Sequence, residues 1–309
     1  MSRPTDLQMR LPVICAPMFR ISGPEMVIAA CKSGIGGSFP STNARTVDEL
    51  DQWMGQISDA VTAEDGPWIS NLITHSTRTR LFDELKLIEH YKPPIVITAL
   101  GSPRPVMEVV KAYGGRVFAD VVNLQLAKKA VDAGVDGMAC ISAGAGGHTG
   151  HLSPFAFISA IRDIFDGVIA VGGGISDGAG IAGAIAAGAD CVYMGTRFIP
   201  TKESLADDRY KAMVIDAQAD DIVVSAAVTG TAASWLKASL DEAGFSEEDL
   251  AAKIPRDYSG SQSKRWRDIW GAGQGVGRSR KIETIAEVVD DLEQEYDQAV
   301  RRFLAVKGD

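Results

Sequence analysis

RVFADVV (116–122), QLAKKAVDAGVD (125–136) and GMACIS (137–142) follow one another almost without a gap, and their order decides the fold. The first and third are short, largely apolar runs, the pattern of strands covered on both faces rather than strands with one face in water. The middle stretch spaces its apolar residues along one helical face and runs into Gly134, a residue suited to a left-handed helix cap. Strand, helix, strand in that order predicts two parallel strands joined by a right-handed crossover.

Six more runs of the same kind complete the pattern: PVICAPM (12–18), GIGGSF (34–39), PWISNLI (67–73), PIVITAL (94–100), VIAVGG (168–173) and CVYMGT (191–196). Helical stretches such as GAGIAGAIAAGAD (178–190), small enough to pack tightly on a sheet, lie between them. Eight strand–helix units predict an α/β fold, a (β/α)8 TIM barrel. A doubly wound sheet is the competitor, but GIGG, GAGGHTG and GQGVG all lack the full G-x-G-x-x-G that a Rossmann site places after its first strand.

After the eighth run the pattern changes. Residues 201–268 carry charged helical segments broken by turns, and they predict a helical subdomain inserted into a barrel made of residues 1–200 and 269–309. Between Lys253 and Lys281 eight basic residues stand against Asp257 and Asp268, which reads as a solvated face or as cations meeting an anionic ligand. Near the end, Ile282, Ile285, Val289, Leu292, Tyr296, Ala299 and Phe303 form one helical stripe. It predicts the last barrel helix; a seam between the subunits of a homodimer is the other reading.

Composition narrows the function. The chain has 309 residues, 46% hydrophobic and 23% charged, with a net charge of −9. An acidic chain argues against nucleic acid or an anionic membrane as partner, since both require a basic footprint, and leaves a small-molecule substrate. No apolar stretch is long enough to span a bilayer, and a cytoplasmic location is expected. Cys15, Cys31, Cys140 and Cys191 show no paired spacing and read as buried thiols, without a disulfide framework or a metal site.

The chemistry gathers at the predicted C-terminal ends of strands, where barrels of this kind place their active sites. Gly173 and Gly174 after the seventh run, with Gly195 and Thr196 after the eighth, describe a phosphate cradle of bare amides and a hydroxyl. SAGAGGHTGH (142–151) sets small residues ahead of His148 in a chain with only four histidines, the others being His75, His90 and His151. Such a loop suits a tight turn, or a backbone that approaches a flat ligand with an imidazole held over it.

APM (16–18), SNL (70–72), AGGHTG (145–150), GGGIS (172–176), MGTRF (194–198) and AGQGVG (272–277) together resemble the nitronate monooxygenase family, formerly called 2-nitropropane dioxygenases. The resemblance implies an FMN-dependent barrel that oxidises alkyl nitronates with oxygen to carbonyl compounds and nitrite. It sets the backbone of Ala16, Pro17 and Met18 beside the flavin ring with Asn71 in reach of it, and gives Gly173, Gly174, Gly195 and Thr196 to the FMN phosphate. Gln274 and Gly275 would close over that end, Gly146 and Gly147 would lie against the flavin, and His148 would be the catalytic residue beside a compact anionic substrate. Many relatives carry an acidic residue and a glutamine where this chain has Gly144 and Ile141. Flavin barrels that reduce quinones or enoyl thioesters with NAD(P)H share the GGH feature and form the alternative.

Overall fold

The computed structural model describes residues 7–252 and 267–307. Eight strands close into a parallel barrel: β1 (Val13–Cys15), β2 (Gly36–Pro40), β3 (Trp68–Ile73), β4 (Ile95–Ala99), β5 (Arg116–Val121), β6 (Gly137–Ile141), β8 (Val168–Gly172) and β9 (Cys191–Met194). All eight predicted runs are these strands, and β1 pairs with β9 to complete the ring. Each neighbouring pair is parallel, as crossover helices require.

The segment from β5 to β6 shows why. Helix α5 (Leu124–Ala133) begins at Asn123, whose side chain accepts the Leu126 amide at 2.9 Å, and ends at Gly134 with φ 76°. Both ends are therefore set by single residues, one supplying a missing acceptor and the other a left-handed turn. Beyond the helix, Asp136 ties strands together: its Oδ2 accepts the Val117 amide at 2.7 Å and its carbonyl accepts the Val168 amide at 3.0 Å. Alternate residues along each strand then face either the helices or the barrel interior. Ile14, Ile69, Ile95, Ile97, Phe118, Ala139, Val168, Ala170, Cys191 and Tyr193 fill that interior.

Helix α7 (Gly178–Ala186) is built of small residues because the last helix, α11 (Ile285–Lys307), lies directly on it. A Cβ at Gly178 would fall 2.1 Å from the Tyr296 nitrogen. Ile285, Val289 and Leu292 of the predicted stripe are fully buried there, as is Val288. Ile282 and Phe303, at the two ends of the stripe, are exposed.

Between β9 and α11 the chain forms helices α8 (Asp208–Asp216), α9 (Lys237–Glu242) and α10 (Glu247–Ala251), and also two strands where only helices were expected, β10 (Ile222–Ser225) and β11 (Ala233–Leu236). They form an antiparallel sheet with a two-residue strand from the barrel's own loops, β7 (Gly147–His148), in the order β10-β11-β7. Val228, Ala233, Trp235, Leu240 and Ile269 make a small core beneath that sheet. Among the described residues no helix is long and apolar enough to cross a membrane.

Candidate active site

The loop after β1 is held rigid by two polar side chains. The Met18 amide donates to Ser22 Oγ at 3.0 Å, and Asn43 Nδ2 donates to the Met18 and Ser22 carbonyls at 3.0 and 2.7 Å. Ala16, Pro17 and Met18 are half-buried at the barrel mouth, and the Ala16 amide donates to the Met194 carbonyl at 2.9 Å. The loop after β9 lies against them, since a Cβ at Gly195 would stand 3.2 Å from Met18 Sδ. Phe198 donates to the Gly195 carbonyl and Ile199 to the Thr196 carbonyl, so both carbonyls turn into a short 3-10 turn with its amide end toward the mouth.

Three more loops meet at one carbonyl. Gly144 O accepts the amides of Gly174 at 3.0 Å and Gln274 at 2.9 Å, while the Gly273 amide donates to Thr196 Oγ1 at 2.9 Å. The packing is backbone on backbone: a Cβ at Gly146 would lie 2.8 Å from the Gly273 nitrogen, and one at Gly275 would lie 2.7 Å from Ser176 Cβ. SAGAGGHTGH, GGGIS, MGTRF and AGQGVG thus form one cluster. The expectation of a bare Gly174 amide is not met, because that amide is spent on Gly144. Gly174 contributes space instead: at φ 67°, its open side carries nothing within 4 Å except Gln274 Cβ at 4.0 Å.

His148 reaches the mouth on β7, where it pairs with Ala233 of β11, and the next amide, Thr149, donates to the Ala232 carbonyl at 3.2 Å. Thr149 Oγ1 also donates to the Ser142 carbonyl at 3.1 Å, closing the loop back on itself. His148 is half-buried, whereas His151 is exposed. Asn71 sits on the inward face of β3, buried, with Nδ2 donating to the Ile97 carbonyl at 3.3 Å.

Two polar side chains of the interior carry no motif in the sequence. Asp120 lies on the Phe118 face of β5, one residue before the strand's C-terminal end, and its Oδ1 is sealed from solvent with no hydrogen-bond partner. Burial pushes its carboxyl up to about 7. Tyr193 of β9 is buried and its Oη is likewise unpartnered; burial first, and the Asp120 charge second, drive its hydroxyl well above its ordinary value. The signal was present in RVFADV: a lone acid two residues beyond Phe118 must share its face.

Three of the described cations of the basic run, Arg267, Arg278 and Lys281, are in ion pairs. Arg278 bonds Asp177 at 3.2 Å and Glu295 at 3.0 Å, Lys281 lies 3.6 Å from Glu283, and Arg267 bonds Asp268 at 2.7 Å. Residues 253–266, with Lys253, Arg256, Lys264 and Arg265 of the run, lie outside the described residues. All four cysteines are buried, and burial pushes every thiol up, Cys31 to about 12, the behaviour of inert thiols.

Over residues 2–295 the sequence matches the nitronate monooxygenase family. The chain belongs to that family. It is 28% identical to the nitronate monooxygenase of Paraburkholderia phytofirmans, with 94% of each chain covered. It is also 29% identical, over 71% of this chain and 60% of the relative, to a Rhodococcus jostii enzyme named as a 5-hydroxy-7a-methyl-1-oxo-octahydro-1H-indene-4-carboxyl-CoA dehydrogenase. Among solved structures, FabK from Thermotoga maritima is similar across 99% of both chains, with a TM-score of 0.82 and 25% identity. A nitroalkane oxidase from Streptomyces ansochromogenes covers 97% of this chain and 99% of its own, with a TM-score of 0.83 and 22% identity, a likeness of fold. This family member is an oxidoreductase built on a TIM barrel.

Gly144 occupies a position that favours glycine. Its φ is 84°, and a Cβ there would lie 2.8 Å from Gln274 Oε1 and 3.2 Å from the Gly174 nitrogen. An acidic side chain at this position has neither the backbone conformation nor the room that it needs.

Proposed function

We propose that this protein binds FMN across the barrel mouth and oxidises small alkyl nitronates with oxygen to carbonyl compounds and nitrite. The observation that carries the reading is the convergence of four glycine-rich loops on the Gly144 carbonyl and Thr196, with the strand bearing His148 laid across the same opening. The residues fit such a group: Gly174 keeps open a space that any side chain would fill, beside the loop of Gly195 and Thr196. FMN, when bound, supplies the capacity to accept electrons and to react with oxygen.

In this reading the chain's own residues bind and orient. Gly173, Gly195 and Thr196 hold the phosphate end, and Gln274 and Gly275 close over it. The clamped backbone of Ala16, Pro17 and Met18 lines one side of the ring, with Gly146 and Gly147 opposite and Asn71 in reach. His148 serves at the imidazole as a cationic anchor for the anionic substrate, or as a base in the mouth. The acidic chain and the absence of a membrane-crossing helix among the described residues support a cytoplasmic setting.

The purified protein should be yellow and release FMN, identified by mass. Mixed without oxygen with an alkyl nitronate, it should show a rapid change in its visible spectrum, and NADH alone should act slowly. A colourless protein that takes up no added FMN overturns the cofactor. Rapid bleaching by NADH beside an inert nitronate replaces the reading with reduction of a quinone or enoyl thioester.

A further inference from the structure

The geometry points to Asp120 and Tyr193 as a substrate-binding pair: a carboxyl and a phenol, both aimed at the oxygen atoms of a small oxyanion in the barrel mouth. That the ligand is an oxyanion rests on the function proposed above. The pairing itself rests on where the two side chains stand.

Both face the interior near the C-terminal rim, Asp120 from β5 and Tyr193 from β9, three strands further round the ring. The strands flanking Asp120 offer it nothing polar on that face. β4 presents Ile97, and β6 presents Ala139, its register partner, and then Ile141. Gly172 of the neighbouring strand lets the Tyr193 backbone approach, since a Cβ there would lie 2.6 Å from the Tyr193 carbonyl oxygen. A buried donor or acceptor left without a partner is costly, and two at one rim mark a place where a ligand completes the bonding.

The surrounding charges favour the acid. Burial alone accounts for the raised carboxyl of Asp120, and no cation among the described residues draws it back. Arg116 shares its face but lies four residues down the strand, about 13 Å away along the backbone. Tyr193 from β9 and Cys140 from β6, neither cationic, feel its charge. His148 approaches from above on β7. A neutral Asp120 donates to an anion; once ionised, it repels the same anion.

The test uses isobutyrate, an unreactive carboxylate of the shape of a propyl nitronate, titrated into the purified holoprotein by calorimetry across pH. Infrared spectra of the wild type and Asp120→Asn, recorded in parallel, report the carboxylic acid band directly. In the wild type, isobutyrate affinity should hold steady below pH 7 and fall about tenfold per pH unit above it. Asp120→Asn, which donates at every pH, should lose that fall, and the protonated-acid band seen in the wild type near neutrality should vanish with it. His148 is common to both proteins, so its titration cancels in their ratio. Tyr193→Phe should weaken binding by roughly twofold to tenfold at all pH values and keep the fall. An unchanged profile in Asp120→Asn, or an Asp120 carboxyl already ionised well below neutrality, overturns the pair. If no flavin is bound yet the acid band and its effect on isobutyrate are present, the cofactor reading fails and the pair stands. If instead the protein carries flavin and oxidises nitronates but its isobutyrate profile ignores Asp120, the pair fails and the cofactor reading stands.

Discussion

Replacing Gly144 with alanine tests whether one carbonyl organises the mouth. Gly144 adopts φ 84°, and a left-handed backbone costs an alanine about 1–2 kcal/mol, offset by roughly 0.4–1 kcal/mol through the stiffer unfolded chain. Gly134→Ala is the matched control, because Gly134 has φ 76° and nothing within 4 Å of a new Cβ. The control should therefore lose about 1 kcal/mol. At Gly144 the methyl also lands 2.8 Å from Gln274 Oε1, a side-chain end that can swing aside, and 3.2 Å from the Gly174 nitrogen, a backbone atom that must give way and strain the bonds that Gly144 O receives. At about 0.5–1.5 kcal/mol for each bond, the total comes to about 2–4 kcal/mol. Urea unfolding of the two variants reads the difference, and flavin retention after dialysis should fall only in Gly144→Ala. Equal losses of stability with equal flavin content would show that the loops do not depend on this carbonyl.

Three further outcomes are expected. His148→Ala should keep its flavin and lose roughly two to four orders of magnitude in turnover with a nitronate, and His151→Ala, exposed on the same loop, should lose little; comparable losses would make His148 structural. Glu283→Ala strands the buried Arg197, whose Nη1 lies 3.1 Å from Glu283 Oε2, and should cost about 3–5 kcal/mol in urea unfolding, with part recovered by adding Arg197→Met. For Asp120 the folded carboxyl lies at about 7 against 3.8 for the free group, so the folded state holds the proton more tightly. Its contribution to stability is complete below pH 3.8 and is lost as pH rises to about 7; the urea midpoint of Asp120→Asn relative to wild type should climb across that window and level off above it.

The barrel was legible because each of its strands is a short apolar run ended by glycine, proline or a capping residue, and because period-2 burial on both faces leaves no alternation to mislead. PVICAPM overran, however: β1 stops at Cys15 and leaves Ala16–Met18 as a loop, a difference made by Ser22 and Asn43 rather than by hydrophobicity. Strands β10 and β11 were missed because four-residue strands amid charged helical segments carry too little periodicity, and β7 exists only through its distant partner. Which loops hold the glycines could be read, but not that the Gly174 amide is consumed by Gly144, since hydrogen-bond partners across loops leave no local signal. Ile282 and Phe303 kept the helical spacing beyond the reach of the surface that buries Val289 and Leu292.

The short sheet joining β7 to β11 and β10 gives the histidine a separate foundation. His148 hangs from Ala233, and Ala233 belongs to a core centred on Trp235 that shares no residue with the barrel interior. Two cooperative units therefore meet at the mouth, and the smaller one, with few buried contacts, opens at lower free energy. Deuterium should enter the amides of Thr149 and Ser234 before those of β5 and β6. Each such opening frees the histidine from its place while the eight-stranded ring stays closed, so with His148 catalytic, as proposed, the fraction of molecules competent for chemistry follows the stability of a three-stranded sheet and not that of the barrel.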